Sequence, residues 1–297
     1  MPAGRLCCPA LAALCLVLLG GSYSPGMFMT GGPEAQPAAP RVQRLTYTIT
    51  FLGIPVARAI LDEVQPGQPD GEWIVRGAAR TTAFWEQFTH IRNSYITRFR
   101  AAGFQPSVYE RRIDQKGLRF RRTEWYGREG AGEVDISRLP PLSPRYTARG
   151  EPASVDVLSV PAGEGNFFSA LWYMRYTDWD RTVEATLPVW LEGQRWQVTI
   201  RRVGVGRRRA PEGRVEAWKL ICRLNRLADE TGAEEFPSQA GSGTDHVTHH
   251  LMREDAEITF WIARQPSRRP IAVSVSMALF QVSARLREPF EDERLPF

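Results

Sequence analysis

From Arg44 onward the chain alternates apolar and polar residues with a period of two. Leu45, Tyr47, Ile49 and Phe51 alternate with Thr46, Thr48 and Thr50, which predicts a half-buried strand with a threonine-rich outer face. Gly53-Ile54-Pro55 turns the chain, and 56–64 returns as a second strand. The same signal predicts strands over 72–83, 91–100, 107–114, 118–126, 183–191, 195–205, 215–224, 257–263, 271–277 and 280–287, with a strand-like run at 155–160. Turn residues separate them, as in Gln115-Lys116-Gly117, Glu192-Gly193-Gln194 and Gln265-Pro266-Ser267. Gly204-Val205-Gly206, followed by three arginines, reads as a further hairpin tip.

One segment breaks the rhythm. Asn166 is placed to cap a helix whose apolar positions Phe167, Ala170, Leu171 and Met174 fall at i, i+3, i+4 and i+7. No second helix is evident. Many strands in hairpin succession with one short helix predict an all-β fold, a large curved antiparallel sheet or a split or half barrel. The stretches 137–153 and 229–243 read as loops. Neither divides the chain into compositionally different halves, so a single β-rich domain is expected over 44–290.

The start of the chain changes the picture of where the domain works. Arg5 is followed by an apolar run over 6–21 and small residues, which predicts an export signal or N-terminal membrane anchor at 1–22. The Gly-, Pro- and Ala-rich stretch within 23–43 then reads as a tether. Export to the periplasm or cell envelope is therefore expected. Cys7, Cys8 and Cys15 lie in the export segment and leave Cys222 alone in the body, so no internal disulfide is expected there. With 43% hydrophobic residues and 10% aromatics the chain is globular and is neither disordered nor a multi-span membrane protein.

Lys+Arg is 38 against 33 Asp+Glu, a net charge of +5, and only Lys116 and Lys219 are lysines. An exported protein does not meet a genome, so the arginine excess is not read as nucleic-acid binding. Arg98, Arg100, Arg111, Arg112, Arg119, Arg121 and Arg122 lie on consecutive strands, interleaved with Tyr95, Phe99, Tyr109, Phe120, Trp125 and Tyr126. If these strands pair as hairpins, one face is basic and the other aromatic. Arg98, Arg100, Arg119, Arg121 and Trp125 are the candidate ligand-binding residues, with an anionic lipid headgroup or glycan as the fitting partner. The competing account is an ordinary solvated outer face.

Other motifs are weaker. His246, His249 and His250 would share a helical face, and His246 with His250 a strand face, making a candidate divalent-metal site with Asp245 or Glu254 assisting. A solvated turn accounts for them equally simply. Asp178 and Asp180 flank Trp179 and offer a conceivable acid–base pair. Gly163-Glu164-Gly165 superficially matches a phosphate loop but lacks the third glycine. Cys222 sits among Leu220, Ile221 and Leu224 as a small apolar residue. No nucleophile elbow and no His-Glu-x-x-His is present, so no catalytic residue and no cofactor is assigned.

These segments together resemble a known family. "YTITFLGIPVARAIL" (47–61), "FSALWYMR" (168–175) and "ITFWIARQPSRRPIAVSV" (258–275) are similar, in order and spacing, to the opening hairpin, short helix and closing hairpin of the bacterial domain-of-unknown-function family 3108. The resemblance implies an exported, β-rich protein, and it supplies no catalytic residues. The expected function is that of a non-enzymatic cell-envelope protein binding an amphipathic lipid, lipoprotein or glycan in a β-sheet concavity. Membrane association through the N-terminus fits the same reading. Two alternatives stay open: a scaffolding module that uses its sheet faces for protein contacts, and a hydrolase built on the carboxylates or the histidine cluster.

Overall fold

The computed structural model describes residues 41–66, 71–100, 104–115, 118–127, 154–160, 163–191, 194–227, 257–264, 268–277 and 280–287. Their strands are β1 (Arg41–Phe51), β2 (Ile54–Gln65), β3 (Glu72–Thr81), β4 (Arg92–Arg100), β5 (Pro106–Gln115), β6 (Leu118–Tyr126) and β7 (Ser154–Val160). After the helix come β8 (Glu184–Leu191), β9 (Gln194–Ala210), β10 (Gly213–Arg226), β11 (Glu257–Ala263), β12 (Pro270–Met277) and β13 (Phe280–Arg287). They form one open sheet in the order β7-β6-β5-β4-β3-β2-β1-β13-β12-β11-β10-β9-β8. Twelve strands run antiparallel to their neighbours, and β7 joins β6 in parallel. The fold is all-β and the sheet does not close into a barrel.

The helix that breaks the alternation is α2 (Phe167–Tyr176), after a single turn, α1 (Ala83–Glu86). The second helical element is a correction to the sequence reading. It begins at Ala83, the last residue of the run assigned to a strand over 72–83, where Thr82 takes an extended cap conformation before the turn. Asn166 caps α2 as expected: its side chain accepts from the Ser169 amide, and the Ser169 hydroxyl accepts from the Asn166 amide.

Helix α2 explains the curvature. At its N-terminal end, Asn166 Nδ2 donates to Thr97 Oγ1 of β4 at 2.9 Å, while the neighbouring Gly165 pairs with Val189 of β8. In the sheet order β4 and β8 are nine places apart, about 43 Å if the sheet were flat. Two consecutive residues bridge that gap, so the sheet curls around the helix. The helix is consequently enclosed on more than the predicted stripe: Phe168, Trp172 and Arg175 are buried along with Ala170, Leu171 and Met174. Leu45, Tyr47 and Ile49 of β1 and Val282, Ala284 and Leu286 of β13 belong to the same core, as their alternation predicts.

Three local readings change. Gly204 and Gly206 lie inside β9, and the chain turns at Pro211-Glu212 before Gly213, whose φ is +119°. Gly206 packs closely instead: a Cβ there would come within 3.3 Å of the Trp261 ring, over which the Arg208 guanidinium stacks at 3.6 Å. The phosphate-loop likeness dissolves. The Gly165 amide donates to the Pro188 carbonyl at 3.1 Å, and the Glu164 carboxylate pairs with Arg195 at 2.7 Å. A Cβ on Gly165 would lie 2.8 Å from Ser169 Oγ and 3.1 Å from the Pro188 oxygen. Gly165→Ala is therefore expected to strain the capping box and the β8 contact and to cost about 1–3 kcal/mol in urea denaturation. Finally, the outer face of β1 is less solvated than its threonines suggest, since Thr46 is buried.

Candidate functional surface and the buried ion pair

Pairing register decides which face each arginine takes. Ser94 faces Arg112, Tyr95 faces Arg111, and Thr97 faces Tyr109 across β4 and β5. Arg112 then faces Arg121, Asp114 faces Arg119 and Val108 faces Trp125 across β5 and β6. Residues paired across an antiparallel ladder share a face. Arg98, Arg100, Arg119, Arg121 and Trp125, the five candidate ligand residues, all fall on the outer side, away from α2.

The predicted separation into a basic and an aromatic face is only partly right. Tyr95, Phe99, Tyr109 and Tyr126 do line the inner side. Arg111 and Arg122 lie there with them, however, and Trp125 lies on the basic side. The sign of each position follows from register, and a bulge between Arg98 and Phe99 shifts it within this very group.

Across β1–β6 the outer face is strongly biased. Arg44, Arg58, Arg76, Arg80, Arg92, Arg98, Arg100, Arg112, Arg119 and Arg121 occupy it, against Asp62, Glu72, Glu110 and Asp114: ten positions against four, an excess of six. That exceeds the +5 of the entire chain. The carboxylates are all used. Asp62 takes Arg44 at 2.6 Å, Glu110 takes Arg112 at 2.9 Å and Arg121 at 3.1 Å, Asp114 approaches Arg119 at 3.8 Å, and Glu72 approaches Arg98 at 3.8 Å. Arg98, Arg119 and Arg121 keep 22%, 37% and 23% of their side-chain surface open. Trp125 is buried, and its role in this surface is packing.

The remaining candidates divide. His246, His249 and His250 lie outside the described residues, as do Asp245 and Glu254. Among the described residues no three His, Cys, Asp or Glu side chains converge as a metal site. Asp178 and Asp180 hold the turn after α2. Asp180 accepts from Trp218 Nε1 at 3.1 Å and pairs with Arg264 at 2.8 Å, and these contacts hold its carboxyl below the usual range. Asp178 accepts from the Asp180 amide and approaches exposed Arg181. Cys222 is buried, and desolvation pushes its thiol up to about 12, as an inert core residue requires.

Sequence reasoning missed the most unusual pair in the molecule. Arg175 of α2 and Glu63 of β2 are both fully buried and meet at 3.2 Å. Arg175 Nε also donates to the Arg268 carbonyl, and its guanidinium lies over the Trp172 and Tyr176 rings at 4.8 and 5.3 Å. "FSALWYMR" contains Arg175, but its partner lies 112 residues away and no local signal joins them. Burial pushes Glu63 up to about 7, while Arg175, Gln65, Tyr176 and Trp172 pull it back down. The folded state thus holds this proton more tightly than the unfolded chain. Stability from Glu63 is present below about pH 4.5 and is lost as pH rises towards 7. Urea midpoints across that window are expected to fall with pH, and Glu63→Gln to flatten the slope; an unchanged slope in the variant would refute the assignment.

Helix α2 packs Phe168, Leu171, Trp172 and Met174 into one continuous core with residues from both halves of the sheet.

Residues 46–285 match the model of a protein family of unknown function, DUF3108. The chain belongs to the DUF3108 family. The match spans the opening hairpin, α2 and the closing hairpin that carried the resemblance. No curated protein matches the chain. Among solved structures it is similar to a β-barrel-like protein of another domain of unknown function, DUF1849, from Brucella abortus, at 10% identity and a TM-score of 0.45 over 86% of this chain and 98% of that one. A second similar structure is a "putative exported protein with YmcC-like fold" from Bacteroides fragilis, at 12% identity and a TM-score of 0.32 over 85% of this chain and 96% of that one.

Proposed function

We propose that this DUF3108 protein is a non-enzymatic cell-envelope protein that binds an anionic amphiphile through the outer face of β1–β6. The observation that carries the reading is the excess of six arginines over carboxylates on that one face. The export-type N-terminus supports the compartment. Arginine suits the partner, because its planar fork matches the oxygens of a phosphate or carboxylate and stays charged at every relevant pH. An excess of cations on one face attracts an anionic partner. Native mass spectrometry of protein purified from its own envelope tests this. Co-purifying anionic lipid is expected. Bare protein, or protein carrying only neutral lipid, would overturn the reading.

A further inference from the structure

The end of the sheet where β1 turns into β2 carries large apolar side chains in the open. Leu52 and Ile54 at the hairpin tip are 61% and 54% exposed, and Phe84 and Phe88 in the β3–β4 connection are 63% and 57% exposed. The Thr82 amide donates to the Val56 carbonyl at 3.0 Å, which sets the tip and α1 side by side. Phe84 and Phe88 cluster with Trp85, with ring centroids 5.6–5.9 Å apart.

One feature of this end works against the fold. Leu52 has φ +49° and Gly53 φ +82°. A two-residue hairpin with both central φ values positive favours Asn-Gly, and a leucine there carries a steric penalty. Leu52 incurs that penalty while most of its side chain points into solvent, so packing does not explain it. Behind the tip, Arg58 faces Arg80 and Arg80 faces Arg92 across three strands, and Arg92 also pairs with Glu86 of α1 at 2.5 Å, which leaves a basic row beside the apolar tip.

The strained, exposed leucine and the adjacent basic row make sense against one surface. We infer that this end of the sheet docks on an anionic lipid bilayer, with Leu52, Ile54, Phe84 and Phe88 sunk into the interfacial layer and the Arg58–Arg80–Arg92 row at the phosphates. The row lies four residues along β2 from Ile54, about 13 Å. That matches apolar side chains immersed by roughly 5–10 Å with arginine heads at the lipid phosphates. Aromatic rings and arginines are the side chains that partition to this boundary. The inference rests on the proposed function and adds the orientation in which the basic face meets lipid.

The test uses the full chain with mixed phosphatidylglycerol–phosphatidylcholine vesicles and reads two quantities: the partition constant, and hydrogen exchange of peptides covering 50–56 and 82–91. Vesicles are expected to slow exchange in both peptides. The Phe84→Ser, Phe88→Ser double variant is expected to partition about tenfold or more weakly, since burying even one such ring is worth that factor. Leu52→Asn is expected to weaken partition while its melting temperature stays level or rises, which separates docking from folding. Unprotected peptides with tip variants that bind like the parent would overturn the docking end. If the arginine-face variants described below still lose vesicle binding in that case, the proposed function stands without it. A chain that ignores phosphatidylglycerol altogether would overturn both.

Discussion

Replacing Arg175 by methionine is expected to destabilise the protein by about 3–5 kcal/mol, the cost of leaving one member of a buried ion pair alone. Arg175 is fully buried and touches three parts of the fold at once. It pairs with Glu63 of β2, donates to the Arg268 carbonyl before β12, and stacks on Trp172 and Tyr176 of its own helix. Methionine keeps much of the volume but loses the charge and the donors. Glu63 then stays protonated in the folded state to higher pH, and the pH-dependent loss of stability extends further up. The companion change Glu63→Leu in the same chain is expected to recover most of the loss, because a well-packed apolar pair is about as stable as a buried ion pair. Urea denaturation of the two single variants and the double variant measures the coupling. Additive losses would mean that the two residues do not act as a pair.

The second large effect concerns the surface. Arg98→Gln, Arg119→Gln and Arg121→Gln combined are expected to weaken binding to anionic vesicles about a hundredfold, at roughly 1 kcal/mol per arginine near the membrane surface. The fold should tolerate the change. The pairs of Arg98 and Arg119 are long and partly exposed, and such pairs contribute about 0–1 kcal/mol each. The buried carboxylate of Glu110 retains Arg112 at 2.9 Å when Arg121 is removed. An unchanged melting temperature with lost binding is the expected signature. Full binding by the triple variant would remove the arginine face from the account.

The sequence pattern carries the fold well and the surface only in part, for physical reasons. Period-two alternation places Tyr47, Ile49 and Val282 on the core side because one face of β1 and β13 is apolar and the other polar. It fails at Gly204-Val205-Gly206, where glycine serves the Trp261 ring and the strand simply continues. The candidate arginines were legible as a group because they recur at strand spacing. Their division between faces was not, since Arg111 and Arg122 differ from their neighbours only in register, which turns and bulges set. Glu63 and Arg175 meet only because the sheet curls around α2, a long-range event with no short-range trace. The exposed tip was hidden for a different reason: Leu52 borders a turn and Phe84 follows the end of a strand run, and neither position tells how far the side chain is uncovered.

The central claim is that an arginine face binds an anionic amphiphile, and its most direct measurement is the salt dependence of vesicle binding by the unaltered chain. Binding to phosphatidylglycerol vesicles is expected to fall steeply and linearly in log K against log salt, and to exceed binding to pure phosphatidylcholine throughout. A flat salt dependence, or equal binding to the neutral vesicles, would contradict the account.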